Sequence, residues 1–293
     1  MRWARLRGAH RPLAEVGPGV SRAMQVLYLG TTAFVAMRVF EILHRDLQVA
    51  QSAELLWPVV WMRLVPWSRE LLLFGVSAAS LAAVVFWRRQ PIRVGLAATY
   101  AMQAAFVSSF GKVNHNDHML VWTLVLFGTP SSATLMHSSR RAYWTRATMF
   151  WRAQFLIAFF YFLAGFWKVL AGLIQWRLGE PHLFSVEAMP RHLAARLLQT
   201  RSESRLADWM IDHPLISTVS LWTGVLIEVG AIVLPFVPRF HRLGGVALIG
   251  LHLGIGLAMT IWFDANFLVL AVLFLFSPLA PGHSRSAKVS AAE

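Results

Sequence analysis

The chain has 293 residues, 57% of them hydrophobic and only 14% charged, with a mean hydropathy of +0.54. Soluble domains run near a quarter charged, so the composition excludes an ordinary soluble globule and predicts an integral membrane protein. There are no cysteines, which excludes disulfides, thiolate metal sites and cysteine nucleophiles.

A formal net charge of +13 invites a nucleic-acid reading, but nucleic acid is not an expected partner. The basic residues fall in short clusters between apolar runs, which is the pattern of membrane-flanking loops. The N-terminus, Met1-Arg2-Trp3-Ala4-Arg5-Leu6-Arg7, is basic and leads into polar, Pro/Gly-rich residues. It does not read as a signal peptide, because the first apolar run is long enough to span.

About 20 mostly apolar residues cross a bilayer. In chain order the candidate spans are Met24–Leu43, Glu70–Trp87, Val94–Phe110, Met119–Leu135, Phe150–Gly172, Ser217–Val237, Leu243–Trp262 and Ala265–Leu279. The fourth and the last are short or interrupted. Between the first two, Val59–Val65 is cut off by Pro58 and Pro66; it reads as an interfacial segment whose Trp57, Trp61 and Trp67 suit the headgroup region. The predicted fold is therefore an all-α polytopic transmembrane bundle of about eight spans. It forms one domain over 1–293.

Loop charges set its orientation. One set of loops carries Arg2–Arg22, Arg88–Arg93, Arg140–Arg152, Arg239–Arg242 and Arg285–Lys288 against only Glu15 and Glu293. In the other set, acids from Asp46 to Asp264 nearly balance the bases. The excess of positive charge places both termini in the cytoplasm, in a bacterial cytoplasmic (inner) membrane. The longest loop, 173–215, then faces outward. Within it His192–Gln199 and Leu206–Ile211 have helical spacing and could lie flat on the membrane surface. The tail, 281–293, is small, polar and expected to fray.

Within this topology Lys168 is the conspicuous residue. It follows the apolar run Phe155–Trp167, where an ammonium costs about 3 kcal/mol or more. Desolvation favours the neutral amine, and a neutral buried amine is a competent general base. Tyr161, two turns earlier on the same helix face, lines the same cavity. His118, at the outer end of span four, and His252, near the middle of span seven, can meet Lys168 in the outer half of the bundle.

Plainer readings stand beside these. Lys168 could snorkel outward, His118 could be an interfacial histidine, and His252 could bond a neighbouring helix. Gly250, Gly254 and Gly256 read first as close helix packing. Arg38 and Glu41, spaced i,i+3, pair with each other on this reading. Glu228, in the middle of span six, needs protonation or a cationic partner, for which Lys168 and Arg38 are candidates. The polar cluster Lys112, Asn114, His115, Asn116, Asp117 and His118 is too short a ligand set to predict a metal.

The stretch Trp151-Arg152-Ala153-Gln154 followed by Tyr161-Phe162-Leu163-Ala164-Gly165-Phe166-Trp167-Lys168 resembles the HTTM family, whose vitamin K-dependent γ-carboxylase carries a catalytic lysine after Tyr-Phe-x-Ala-Gly-x-x. Asn116-Asp117-His118-Met119-Leu120 is similar to that family's Asn-x-His-x-Leu stretch. Leu251-His252-Leu253, followed by Phe263 and Phe267, is similar to its late helix, and Arg38 to a family arginine. The resemblance covers roughly spans one to eight. It implies a membrane enzyme in which Lys168 deprotonates a reduced, vitamin K-like quinone. Reaction with oxygen then provides a base that takes the γ-proton of a peptide glutamate, and the carbanion adds CO₂. His118 would lie near the carbanion, and His252 would help hold the quinone; Tyr161, Asn116, Arg38 and Glu228 complete the expected binding set.

This chain departs from the family in two ways. The carboxylase's large extracytoplasmic portion has no counterpart after Leu279, and the family's Asp-Trp pair after the lysine is replaced by Val169–Gln175 before Trp176. The expected partners are membrane lipid, a secreted peptide and a partner subunit. The alternative function is a non-catalytic membrane partner for maturation or export of a secreted peptide. A transporter is disfavoured, since no inverted repeat is visible and Pro130, Pro235 and Pro238 lie near span ends.

Overall fold

The computed structural model describes residues 13–44, 55–65, 67–109, 117–128 and 139–281. Asn116, with Lys112, Asn114 and His115, and the tail beyond Pro281 lie outside the described residues. Every regular element described is helical. The chain gathers into two compact units, one within Met1–Ala153 and Phe276–Glu293, the other Gln154–Leu275.

In the first unit, helix α1 (Leu13–His44) leads to a 3₁₀ segment, Trp57–Arg63, then to α2 (Ser68–Phe86), α3 (Gln90–Ser108) and α4 (His118–Gly128). Each helix packs on its neighbour, α1 on α2, α2 on α3 and α3 on α4. The 3₁₀ segment sits where an interfacial element was expected. It buries Val59 and Met62 against Ile42, Leu72 and Phe106, while Trp57 is 87% exposed. Arg93 corrects a sequence reading. Assigned to a cytoplasmic loop cluster, it is instead buried, and its guanidinium donates to the carbonyls of Phe127, Trp87 and Arg88 at 2.7, 3.1 and 2.9 Å. Those carbonyls are the orphan acceptors at two helix ends, so hydrogen bonds to backbone help hold a buried cation.

Helix α5 (Ser139–Arg177) enters the second unit at Gln154. Its end is a glycine cap: Gly179, at φ +72°, donates to Trp176 and lets Glu180 donate to Gln175 at 2.9 Å. This is the pairing a left-handed C′ residue allows, and it carries the helix past Gly172, where the span was expected to stop. Helices α6 (Ala188–Thr200) and α7 (Arg205–Asp212) follow, near the two helical stretches predicted in the long loop. They pack on each other and on α8 (Pro214–Gly230) and α9 (His241–Met259). Leu193, Ala207 and Met210 close a small core with Ala258 and Met259. Ser204 caps α7 by accepting from the Ala207 N–H, and donates to the Leu257 carbonyl at 2.7 Å.

Two 3₁₀ turns, Ala231–Phe236 and Pro238–Phe240, join α8 to α9, and α10 (Asp264–Leu270) ends in a π turn, Ala271–Leu275. The glycine reading of α9 is corrected here. Gly250 and Gly254 have nothing within 4 Å of an added Cβ among the described residues. The close approaches are at Gly256, where a Cβ would stand 2.8 Å from Trp262, and Gly245, 2.6 Å from the Leu275 nitrogen. The π turn therefore lies against bare α9 backbone.

Among the described residues, five helices are long and apolar enough to cross a membrane: Gly19–Phe40, Ser68–Phe86, Ala147–Arg177, Pro214–Phe236 and Pro238–Met259. His118–Gly128 and Asp264–Leu275 are apolar but shorter, matching the two expected spans that read as weakest. The protein is compatible with an integral membrane helical bundle.

Candidate functional site

The second unit holds an ion pair in an apolar setting. The Lys168 ammonium on α5 donates to both carboxylate oxygens of Glu228 on α8, at 2.5 and 2.6 Å. Glu228 is nearly buried, 7% exposed at its side chain, and Lys168 is 45% exposed. Lys168 was expected to stand neutral and shielded; instead its charge meets a carboxylate. Each charge is thereby tolerated at a depth where neither would be stable alone.

Gly165, one turn before the lysine, makes the pair possible. A Cβ there would stand 2.8 Å from the Glu228 Cβ and 3.0 Å from the Val229 nitrogen. A side chain would force the two helices apart. The Ala-Gly-x-x-Lys spacing thus has a packing cause, since it sets the bare backbone of α5 against α8 directly beneath the ammonium.

Two turns before Lys168, Tyr161 is buried and its hydroxyl is hydrogen-bonded to Nε2 of His252 on α9. The rings meet edge to face with centroids 5.6 Å apart. Phe263 and Phe267 enclose the other sides of the imidazole, at 4.8 and 6.2 Å. Among the described residues Nδ1 of His252 is buried without a hydrogen-bond partner, and so is Oδ1 of Asn266 on α10. The two dyads share one electrostatic field: the Glu228 charge acts on Tyr161 and the Lys168 charge on His252. Four sequence-predicted residues, Lys168, Tyr161, His252 and Glu228, are therefore brought together within one unit.

The other predicted site residues fall in the first unit. Arg38 pairs with Asp117 at 3.4 Å, and Tyr100 donates to the other Asp117 oxygen at 3.0 Å. Asp117 is buried at the start of α4, and His118, the next residue, is half-buried. The expected Arg38–Glu41 pairing rests on a Glu41 side chain outside the described residues.

Sequence reading missed His192 and Gln154. His192 stands on the exposed side of α6, one face of it against the protein. Burial, and then the charges of Lys168 and Arg196, lower its pKa below the ordinary 6.5. The signal for it was present, as His192 and Arg196 are spaced i,i+4 on a predicted helix. Gln154, seen only as part of a motif, donates to the Leu273 carbonyl at 2.5 Å and touches His241, ordering the π turn. Among the described residues no group of three or more His, Cys, Asp or Glu could hold a metal ion.

Comparison of the chain with protein-family models, with curated proteins and with solved structures finds no match.

Proposed function

We propose that this protein is an HTTM-like membrane enzyme in which the Lys168–Glu228 pair is the proton-accepting centre for chemistry on a lipid-soluble quinol and a peptide. The observation that carries the reading is the placement of that pair beside the Tyr161–His252 dyad, in an apolar unit where His252 Nδ1 and Asn266 Oδ1 are buried without hydrogen-bond partners among the described residues. Orphaned buried acceptors and donors cost stability, and functional sites are where such costs are retained.

His252 Nδ1, buried with no partner among the described residues, is an atom to which a quinol hydroxyl could hydrogen-bond. When bound, the quinol supplies, with oxygen, a base strong enough for proton abstraction from carbon. The Lys168 ammonium would first pass a proton to the Glu228 carboxylate it touches; the neutral amine would then take the proton of the quinol hydroxyl, leaving the pair one proton richer and the quinol as its anion. Tyr161 fixes the orientation of His252. The apolar walls exclude water, which strengthens each of these contacts.

The same reading carries eight spans with both termini in the cytoplasm of a bacterial inner membrane, supported by the loop-charge asymmetry. A second reading, a non-catalytic partner in maturation or export of a secreted peptide, is favoured by the ion pair itself, since a neutralised lysine is also what a structural role requires. Oxygen consumption by the purified full chain given a reduced menaquinone separates the two. The enzymatic reading predicts quinol-dependent consumption that falls about 10²-fold or more in Lys168→Ala. Equal rates in both proteins would reject it.

A further inference from the structure

Outside the dyads, helix α6 carries a cation with a buried, unsatisfied donor. His192 and Arg196 sit one turn apart, and neither side chain has a hydrogen-bond or ion-pair partner among the described residues. Arg196 keeps its Nε buried with no acceptor in reach, which an arginine rarely does without an anion to receive the fork. By contrast Arg191, on the same helix, is already paired with Glu187. Helix α6 packs on α8, which carries Glu228 and thereby positions Lys168. The Lys168 and Arg196 charges both reach His192. Glu228 neutralises one of them, so the cluster keeps an excess of positive charge.

The surroundings specify what kind of anion. The α6–α7 pair presents Leu198, 80% exposed, and Trp209 outward, and Leu215 is exposed where α8 begins. Bare apolar and Trp side chains beside unpaired bases are the composition of a helix pair seated at lipid headgroups. We infer that His192 and Arg196 form a cradle for the phosphate of a phospholipid headgroup, with the acyl chains lying along the apolar residues beside it. Arg196 supplies the planar fork and His192 a second donor. The inference goes beyond the enzymatic reading and needs neither quinol nor peptide.

Native mass spectrometry of the full chain in detergent, titrated with phosphatidylglycerol, tests it. Phosphatidylcholine, inorganic phosphate and a polyglutamate peptide serve as separate arms. The expected result is a saturable phosphatidylglycerol adduct that weakens about tenfold in Arg196→Gln and in His192→Gln, partly recovers in Arg196→Lys, and is unchanged in Arg191→Gln. Inorganic phosphate should compete if the phosphate itself is read, and should fail to saturate the site alone if the acyl chains contribute. An adduct equally strong in all four variants would overturn the cradle, as would binding of polyglutamate without binding of the lipid. His192 is exposed, so its variant should melt with the parent and keep the test interpretable if Arg196→Gln unfolds.

Discussion

A Cβ added to Gly165 would stand 2.8 Å from the Cβ of Glu228, so the pairing of Lys168 depends on a missing side chain one turn before it. The same position sits 3.0 Å from the Val229 backbone nitrogen, which cannot rotate away. Gly165→Ala should therefore destabilise the second unit by about 1–3 kcal/mol, the usual range for overpacking. Gly254→Ala, with open space around the added methyl, should be neutral or slightly stabilising, since glycine is a poor helix former. Thermal melts of the two variants in detergent check the contrast.

Glu228→Gln keeps shape and removes the charge that meets the Lys168 ammonium. Leaving one partner of such a pair alone is worse than removing both. The double variant Lys168→Met with Glu228→Gln should thus melt above Glu228→Gln alone, although it loses activity entirely. Equal melting of single and double variants would mean that the pair contributes no coupling.

Tyr161→Phe deletes the hydroxyl that bonds Nε2 of His252 and leaves a second buried imidazole nitrogen without a partner. The expected stability loss is about 1–3 kcal/mol. The ¹⁵N shifts of the His252 ring should change with it, because the tautomer loses its constraint.

Much of this arrangement was legible in the chain, and the reason differs by residue. Long apolar runs announce themselves, so the helices bearing Lys168, Glu228 and His252 were found, but their ends were not: α5 begins at Ser139, well before the expected Phe150, because its first turns are polar. At the other ends caps decide, since Gly179 prolongs α5 by a Schellman pairing and Thr260 at φ 55° ends α9 early. Charge balance asked for a cation beside Glu228 and left Lys168 and Arg38 as candidates; packing selects Lys168. Which glycines touch another helix did not follow, because Gly256 and Gly250 look alike in sequence and only tertiary packing separates them. Arg93 was misplaced for the same reason, since a loop arginine and a buried carbonyl clamp share one letter.

In the first unit, Asp117 joins Arg38 on α1 to Tyr100 on α3. Asp117→Asn should weaken both links and lower the melting temperature more than Arg38→Gln, which breaks one. Cysteine-free protein makes differential scanning in detergent a clean readout, with no disulfide exchange to confuse it.

His192 carries a pH dependence of definite sign. Its pKa is lower in the folded protein than the ordinary 6.5, so the unfolded chain binds the proton more readily. Stability from this group is present above pH 6.5 and is lost as pH falls below it. Hydrogen exchange along α6, corrected for intrinsic rates, should show less protection at pH 5 than at pH 7.5. His192→Gln should flatten that difference.

Mass spectrometry of a secreted peptide co-expressed with the full chain addresses the central claim most directly. If the Lys168–Glu228 pair is a proton-accepting centre, the peptide should gain CO₂ on a glutamate with the parent protein and lose that mass with Lys168→Ala. An identical modification with Lys168→Ala would contradict the account.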